Sequence, residues 1–188
     1  MEGRSILSKE RFLLTIDRLC HQLIEDHMDF NDVCLVGIQA RGVLFADRIY
    51  KRLTNHLGVE DFPYGKLDIS FYRDDFRTRE KPLKVNATEM DFLVENKRVI
   101  LVDDVLFSGR TVQAALTALN HYGRPQSVEL LVLVDRRFHR EIPVSPDYSG
   151  LTVDALDNEY VKVHWEHLNG RDEILLFAAD SEGKAPQF

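Results

Sequence analysis

Apolar positions along this chain change period several times, and each change marks an element. After Ser8, a residue type that caps helices, Phe12, Ile16, Leu19, Cys20 and Leu23 recur at helical spacing. Arg11, Asp17, Arg18, His21 and Asp26 take the other faces, so a covering helix is predicted. Val33 to Ile38 is a short β-branched run that predicts a strand, and a second helix reaches about Leu57. Gly58 and Pro63 bracket a break, beyond which Leu67, Ile69 and Phe71 alternate with Lys66, Asp68, Ser70 and Tyr72 in the period of a half-buried strand. Arg73 to Asn96 is mostly charged, contains Pro82 and sustains no period; it predicts a long protruding arm, with Arg77, Arg79, Lys81 and Lys84 solvated.

Val99 to Val102 is uninterruptedly apolar and reads as an inner strand that stops at Asp103 and Asp104. A helix from Thr111 buries Val112, Ala115, Leu116 and Leu119 and ends near Tyr122-Gly123, with Pro125 beyond it. Val128 to Val134 reads as a second buried apolar strand. Tyr160 to His167 and Glu173 to Ala178, around Asn169-Gly170, carry the alternation and turn dipeptide of a C-terminal β-hairpin. His164 and His167 would then fall on opposite faces of one strand, which argues against a shared metal. Strands separated mainly by helices predict an α/β fold, a central mainly parallel sheet with helices on both faces. The expected organisation is a single domain over residues 1–180 and a disordered tail over 181–188.

Composition narrows this picture. A chain of 188 residues with 44% hydrophobic content can bury a full core. Its longest apolar stretches are too short to span a bilayer, and Met1 to Phe12 carries charges where a signal peptide needs an apolar core, so a cytoplasmic protein with no membrane partner is expected. Cys20 and Cys34 fall on core-facing positions and read as packing thiols. The net charge of −7 argues against a broad nucleic-acid footprint.

The candidate chemistry gathers between Val99 and Val112. An apolar strand delivers Asp103 and Asp104 to the edge where open α/β sheets bind ligands, and Val105-Leu106-Phe107 leads into Ser108-Gly109-Arg110-Thr111 at a helix start. Such a start, with its free N–H groups and positive dipole end, cradles anions. The turn Gly37-Ile38-Gln39-Ala40-Arg41-Gly42 repeats the arrangement after the first strand, with Ala40 and Gly42 supplying backbone donors and Arg41 a guanidinium.

These residues resemble the phosphoribosyl pyrophosphate (PRPP) motif of the type I phosphoribosyltransferases, which implies that family's fold. In that family the loop corresponding to residues 105–111 holds the 5′-phosphate and the acids hold the ribose hydroxyls. The resemblance gives Asp103, Asp104 and Arg41 catalytic roles and makes the turn around Arg41 a pyrophosphate loop. It implies Mg2+, bound by Asp103 and Asp104 mostly through PRPP and water, and makes Tyr72-Arg73-Asp74-Asp75 the start of a flexible loop that closes over PRPP. With Leu67-Asp68-Ile69, Pro146-Asp147-Tyr148 and the loop Asp135-Arg136-Arg137-Phe138-His139-Arg140-Glu141-Ile142-Pro143, the chain further resembles the bifunctional pyrimidine-operon regulators and uracil phosphoribosyltransferases. Asp135, Arg136 and Arg137 become the base-side candidates, and Arg137-Phe138 stands where that family has a single glycine.

The implied reaction joins uracil to PRPP, giving UMP and pyrophosphate, with UMP or UTP as possible effectors and a homo-oligomer, dimer or higher, as the implied assembly. A second reading is an RNA-binding attenuator that senses UMP or UTP. RNA is the less favoured partner, because Arg18 and His21 are interrupted by Asp17 and Asp26, and Ser145, Ser149 and Leu151 stand where attenuators carry Lys or Arg. A third reading is a purine-base transferase.

Overall fold

The computed structural model describes residues 3–74, 86–155 and 159–178. The expected tail over 181–188 and the arm residues Arg77, Arg79, Lys81, Pro82 and Lys84 lie outside the described residues. Among the described residues, five parallel strands form the main sheet: β2 (Val33–Ile38), β3 (Tyr64–Leu67), β4 (Arg98–Leu106), β5 (Ser127–Arg136) and β6 (Tyr148–Val153), in the order β3-β2-β4-β5-β6.

Helices cover both faces. Helix α1 (Lys9–His27) sends Phe12, Ile16, Leu19 and Leu23 into one core with Phe45, Ile49 and Leu53 of α2 (Gly42–Leu57). Helix α3 (Arg110–Leu119) places Val112, Ala115 and Leu119 in the other. Along β4, Ile100 and Val102 face the first core and Val99 and Leu101 the second. A strand buried on both sides has no polar alternation, which is why this one reads as an unbroken apolar run.

Several boundaries differ from expectation. β4 does not stop at Asp103: pairing with β2 ends at Gly37–Val102, but β5 continues the ladder through Val105–Val134 and Leu106–Asp135, so the acids stay in the strand. β3 ends at Leu67 because its partner β2 ends at Ile38, which leaves Ile69 buried outside the ladder and Phe71 61% exposed. Ser8 precedes α1, but its hydroxyl donates to Glu10 Oε2 at 2.9 Å and caps no backbone N–H. β5 carries Glu129 within the expected apolar run, where it accepts a bond from Tyr148 and meets His27. β6 and β1 (Arg4–Leu7) have no counterpart in the sequence reading.

The C-terminal hairpin is present as β7 (Glu159–His164) and β8 (Glu173–Ala178), and β1 pairs with β8 to give a three-stranded antiparallel hood in the order β1-β8-β7. A helical turn, α4 (Glu166–Asn169), joins β7 to β8 and ends at Gly170, whose φ of 76° suits a residue without Cβ. His167 therefore belongs to α4 and not to the strand that holds His164. Among the described residues, no helix is long and apolar enough to cross a membrane, and no group of three His, Cys, Asp or Glu could hold a metal ion. Cys20 and Cys34 are buried and free.

Candidate active site

The carboxyl ends of β2 and β4 meet where α2 begins. Gly42 opens α2 so close to β4 that a Cβ there would stand 2.6 Å from Val102 O and 3.1 Å from Asp103 Oδ1. That contact brings the preceding residue, Arg41, over the acids. Its Nε donates to Asp104 Oδ2 at 2.9 Å, and its Nη2 donates to Val163 O of the hood at 2.7 Å. The Gln39 amide is steadied from both sides, its backbone N–H donating to Leu67 O and its side chain to Ala87 O.

Asp103 and Asp104 are both buried, 7% and 5% exposed. The Asp104 N–H donates to Asp103 Oδ1 at 2.9 Å. Burial holds the Asp103 carboxyl well above the usual carboxylate range, and the charge of Asp104 adds to this. Burial also raises Asp104, against the opposing pull of Arg41. Two desolvated carboxylates side by side favour any cation, or any set of hydroxyl donors, that comes to them.

After Leu106, which is buried in the α3-side core, the chain turns through Phe107 and Ser108 to Gly109, whose φ of 89° and crowding by Ile142 and Val144 require glycine. Glu141 and Ile142 N–H groups both donate to Ser108 O, at 2.9 and 3.0 Å, so the loop after β5 is zipped to this turn. Arg110 bridges Asp74 and Glu141, joining the start of the arm to the same loop. Thr111, in the first turn of α3, faces a cavity of about 330 Å³ that Gln39, Ala40, Arg41, Asp103 and Asp104 also line. Val105 and Arg73 line it as well, with Ile69, Ser70 and Asn86 completing its arm side. A second cavity, of about 550 Å³, shares Arg41, Asp104 and Val105 and is closed by Tyr160, Val161, Lys162 and Val163 of β7 with Leu168 and Asn169 of α4. Arg41 and Asp104 form the wall between the two.

The base-side candidates separate. Arg136 is buried at the end of β5, its guanidinium carbon 4.0 Å from the Phe107 ring centroid and 5.7 Å from that of Tyr160. Arg137 turns outward into a bidentate pair with Asp154, at 2.6 and 2.7 Å, and Asp135 pairs with Arg140. Tyr72 packs on His121 with ring centroids 5.6 Å apart, and Asp75 lies outside the described residues. Ser70, Asn86, Tyr160 and Lys162 were not legible as site residues. The alternation around Tyr160 marks a strand but does not reveal that this strand folds back over the sheet edge.

A phosphoribosyl transferase domain model matches residues 3–168 of this chain. The bifunctional protein PyrR of Haemophilus ducreyi is 43% identical over 171 residues, covering 91% of this chain and 94% of that protein. The bifunctional protein PyrR of Caldicellulosiruptor bescii is 40% identical over 179 residues, covering 95% and 97%. Among solved structures, the hypoxanthine phosphoribosyltransferase of Trypanosoma cruzi superposes with a TM-score of 0.70 at 16% identity, covering 94% of this chain and 97% of that one, a likeness of fold.

Proposed function

Because the chain belongs to the phosphoribosyltransferase family, and within it to the bifunctional PyrR proteins, we propose that it transfers the phosphoribosyl group of PRPP to uracil, forming UMP and pyrophosphate. The observation that carries this reading is the single cavity around which Arg41, Asp103, Asp104 and Thr111 converge.

Ser108 to Thr111 bind the 5′-phosphate, through backbone N–H groups at the start of α3 and the Thr111 hydroxyl. Asp103 and Asp104 accept the ribose hydroxyls and favour the positive character that grows on the sugar as the C1–oxygen bond breaks. Arg41 moves from Asp104 to the departing pyrophosphate, and Arg73 faces the same space from the arm. Uracil enters through the second cavity, between Val105 and the β7 residues. Its N1 forms the new bond to C1 as the C1–oxygen bond to pyrophosphate breaks, and the N1 proton passes to water or to the departing pyrophosphate. Catalysis on this plan is positioning and electrostatics, with no protein nucleophile. The buried acid pair fits a hard divalent ion that keeps most of its waters: Asp103 and Asp104 would hold Mg2+, mostly through PRPP and water, and the bound ion would supply charge neutralisation for the leaving pyrophosphate. UMP and UTP share the 5′-phosphate and ribose and compete for the same cradle.

Arg18 speaks for the enzyme over an RNA binder. Its guanidinium donates to Ser149 O at 3.1 Å and Gly150 O at 2.8 Å and to the Gln22 side chain at 3.0 Å. Although the residue is exposed, its donors are engaged by β6 carbonyls and by Gln22, which leaves fewer of them for an RNA phosphate. The test is a nucleobase panel with PRPP and Mg2+, following pyrophosphate release. Turnover with uracil supports the proposal. Turnover with hypoxanthine or guanine alone replaces it with a purine transferase, and a salt-dependent shift of pyrimidine-leader RNA at submicromolar protein without base turnover replaces it with a regulator.

A further inference from the structure

Helix α2 carries more than the turn that precedes it. Arg41 stands immediately before the helix and Arg48 seven residues later, two turns along the same side, and both guanidinium groups reach the hood. Arg41 donates to Val163 O. Arg48 makes a bidentate pair with Asp172, at 2.5 and 2.7 Å, just before β8.

The Arg48 pair is built as a fixed joint. Asp172 is 1% exposed, and its Oδ1 also accepts the Glu166 N–H at 2.8 Å, which ties down the first residue of α4. The Arg48 guanidinium lies 5.4 Å from the Trp165 ring centroid and 5.9 Å from that of Phe12, and Trp165 is wholly buried. Asn169 closes the turn by accepting the Trp165 N–H at 3.0 Å. Leu168 and Asn169 at the end of this turn form the outer wall of the cavity beside Asp104. Arg48 touches none of that cavity's space.

We propose that Arg48 is a positioning residue for the acceptor base: through Asp172 it fixes α4 and β7, the hood wall of the second cavity, and so sets the affinity for the nucleobase without contacting it. This rests on the reading of the second cavity as the uracil site. It also makes α2 the rigid link between the turn that takes pyrophosphate and the wall that takes the base.

The test compares wild type with Arg48→Lys, Arg48→Met and Asp172→Asn by steady-state kinetics in PRPP and uracil and by hydrogen exchange on the same samples. Loss of the joint raises the uracil KM about tenfold while the PRPP KM stays within about twofold, the pattern of a lost binding contribution on one substrate only. Arg48→Lys, which keeps the charge but not the fork, falls between wild type and Arg48→Met. Exchange accelerates in α4 and β7 and not in β2, β4 and β5. A uracil KM within about twofold of wild type in all three variants, or parallel rises in both KM values, overturns the proposal. If wild type turns over no nucleobase, the uracil reading falls separately, and exchange decides the joint: acceleration confined to the hood supports it and unchanged hood exchange overturns it.

Discussion

Arg41 Nε and Asp104 Oδ2 are 2.9 Å apart, so the cation assigned to the leaving group stands against the acid assigned to the sugar. Their burial is unequal: the Arg41 side chain is 49% exposed and that of Asp104 only 7%. Removing either one therefore has opposite consequences for the fold. Asp104→Ala relieves a desolvated carboxylate and leaves a guanidinium that water can reach, so the melting temperature holds or rises while turnover falls by about 100-fold or more. Arg41→Ala strands the buried carboxylate, lowering both the melting temperature and turnover. Pyrophosphate release and thermal melts on the two variants check this; near wild-type turnover in Asp104→Ala sinks the role given to that acid.

Gly42→Ala tests the approach of α2 to β4. The added methyl would lie 2.6 Å from Val102 O and 3.0 Å from Asp103 Cα, both backbone atoms in the central strand that cannot swing aside. The start of α2 must then back away from Asp103 and take Arg41 with it. The expected cost is about 1–3 kcal/mol in urea denaturation, together with a fall in turnover, since the geometry of the acids and the guanidinium is set by the same contact. At Gly58, where no atom lies within 4 Å of an added Cβ, the same substitution meets only the unfavourable φ of 66° and leaves turnover unchanged.

Burial on both faces made β2 and β4 legible, since a strand covered by helices on two sides has little use for polar residues. The acids and the Ser108-Gly109-Arg110-Thr111 turn stood out because an anion cradle needs those types consecutively. β6 did not stand out. It is an edge strand of Tyr, Ser, Gly, Leu, Thr and Val whose place depends on Leu131 pairing with Tyr148 and on Arg18, 131 residues before Ser149, capping its carbonyls. The hood side of the site was hidden for the same reason. Tyr160 and Lys162 acquire their position only when Arg41 and Arg48 draw β7 and α4 toward α2, and no local pattern records that contact. Arg137 shows the converse, a charge suggested for the base side that Asp154 holds at the surface.

Tyr148→Phe separates stability from catalysis. The Tyr148 hydroxyl lies within hydrogen-bonding distance of Asp26 Oδ2, Glu129 Oε2 and His27 Nε2, at 2.9, 3.1 and 3.3 Å, a polar cluster between α1, β5 and β6 none of whose members lines either cavity. The hydroxyl has a single proton to donate, and Glu129 Oε2 also has His27 Nε2 at 2.9 Å, so deleting it leaves one carboxylate short of a donor, at a cost of about 1–3 kcal/mol. The midpoint of denaturation falls while kcat and both KM values stay at wild type. A loss of turnover comparable to the loss of stability contradicts the placement of this cluster outside the site.

The two cysteines predict an alkaline weakness. Burial pushes the thiols of Cys20 and Cys34 each up to about 12, with Arg52 near Cys20 and Lys97 near Cys34 only partly opposing it. Unfolded, both titrate near the ordinary value of about 8.5. Below that value the folded and unfolded chains hold the same thiol protons and these groups do not alter stability with pH. Above it the unfolded chain releases two protons that the folded chain keeps, so stability falls as pH rises, from the ordinary thiol range toward about 12. A thiol reagent at pH 8 should label neither cysteine in the native protein and both in denaturant, because the thiolate is the reacting species and the folded core suppresses it. The double substitution of Cys20 and Cys34 by Ala should flatten the decline of stability between pH 8.5 and pH 10 relative to wild type, even as it lowers stability at neutral pH through lost packing. An equally steep decline in that variant assigns the alkaline loss to groups other than these thiols.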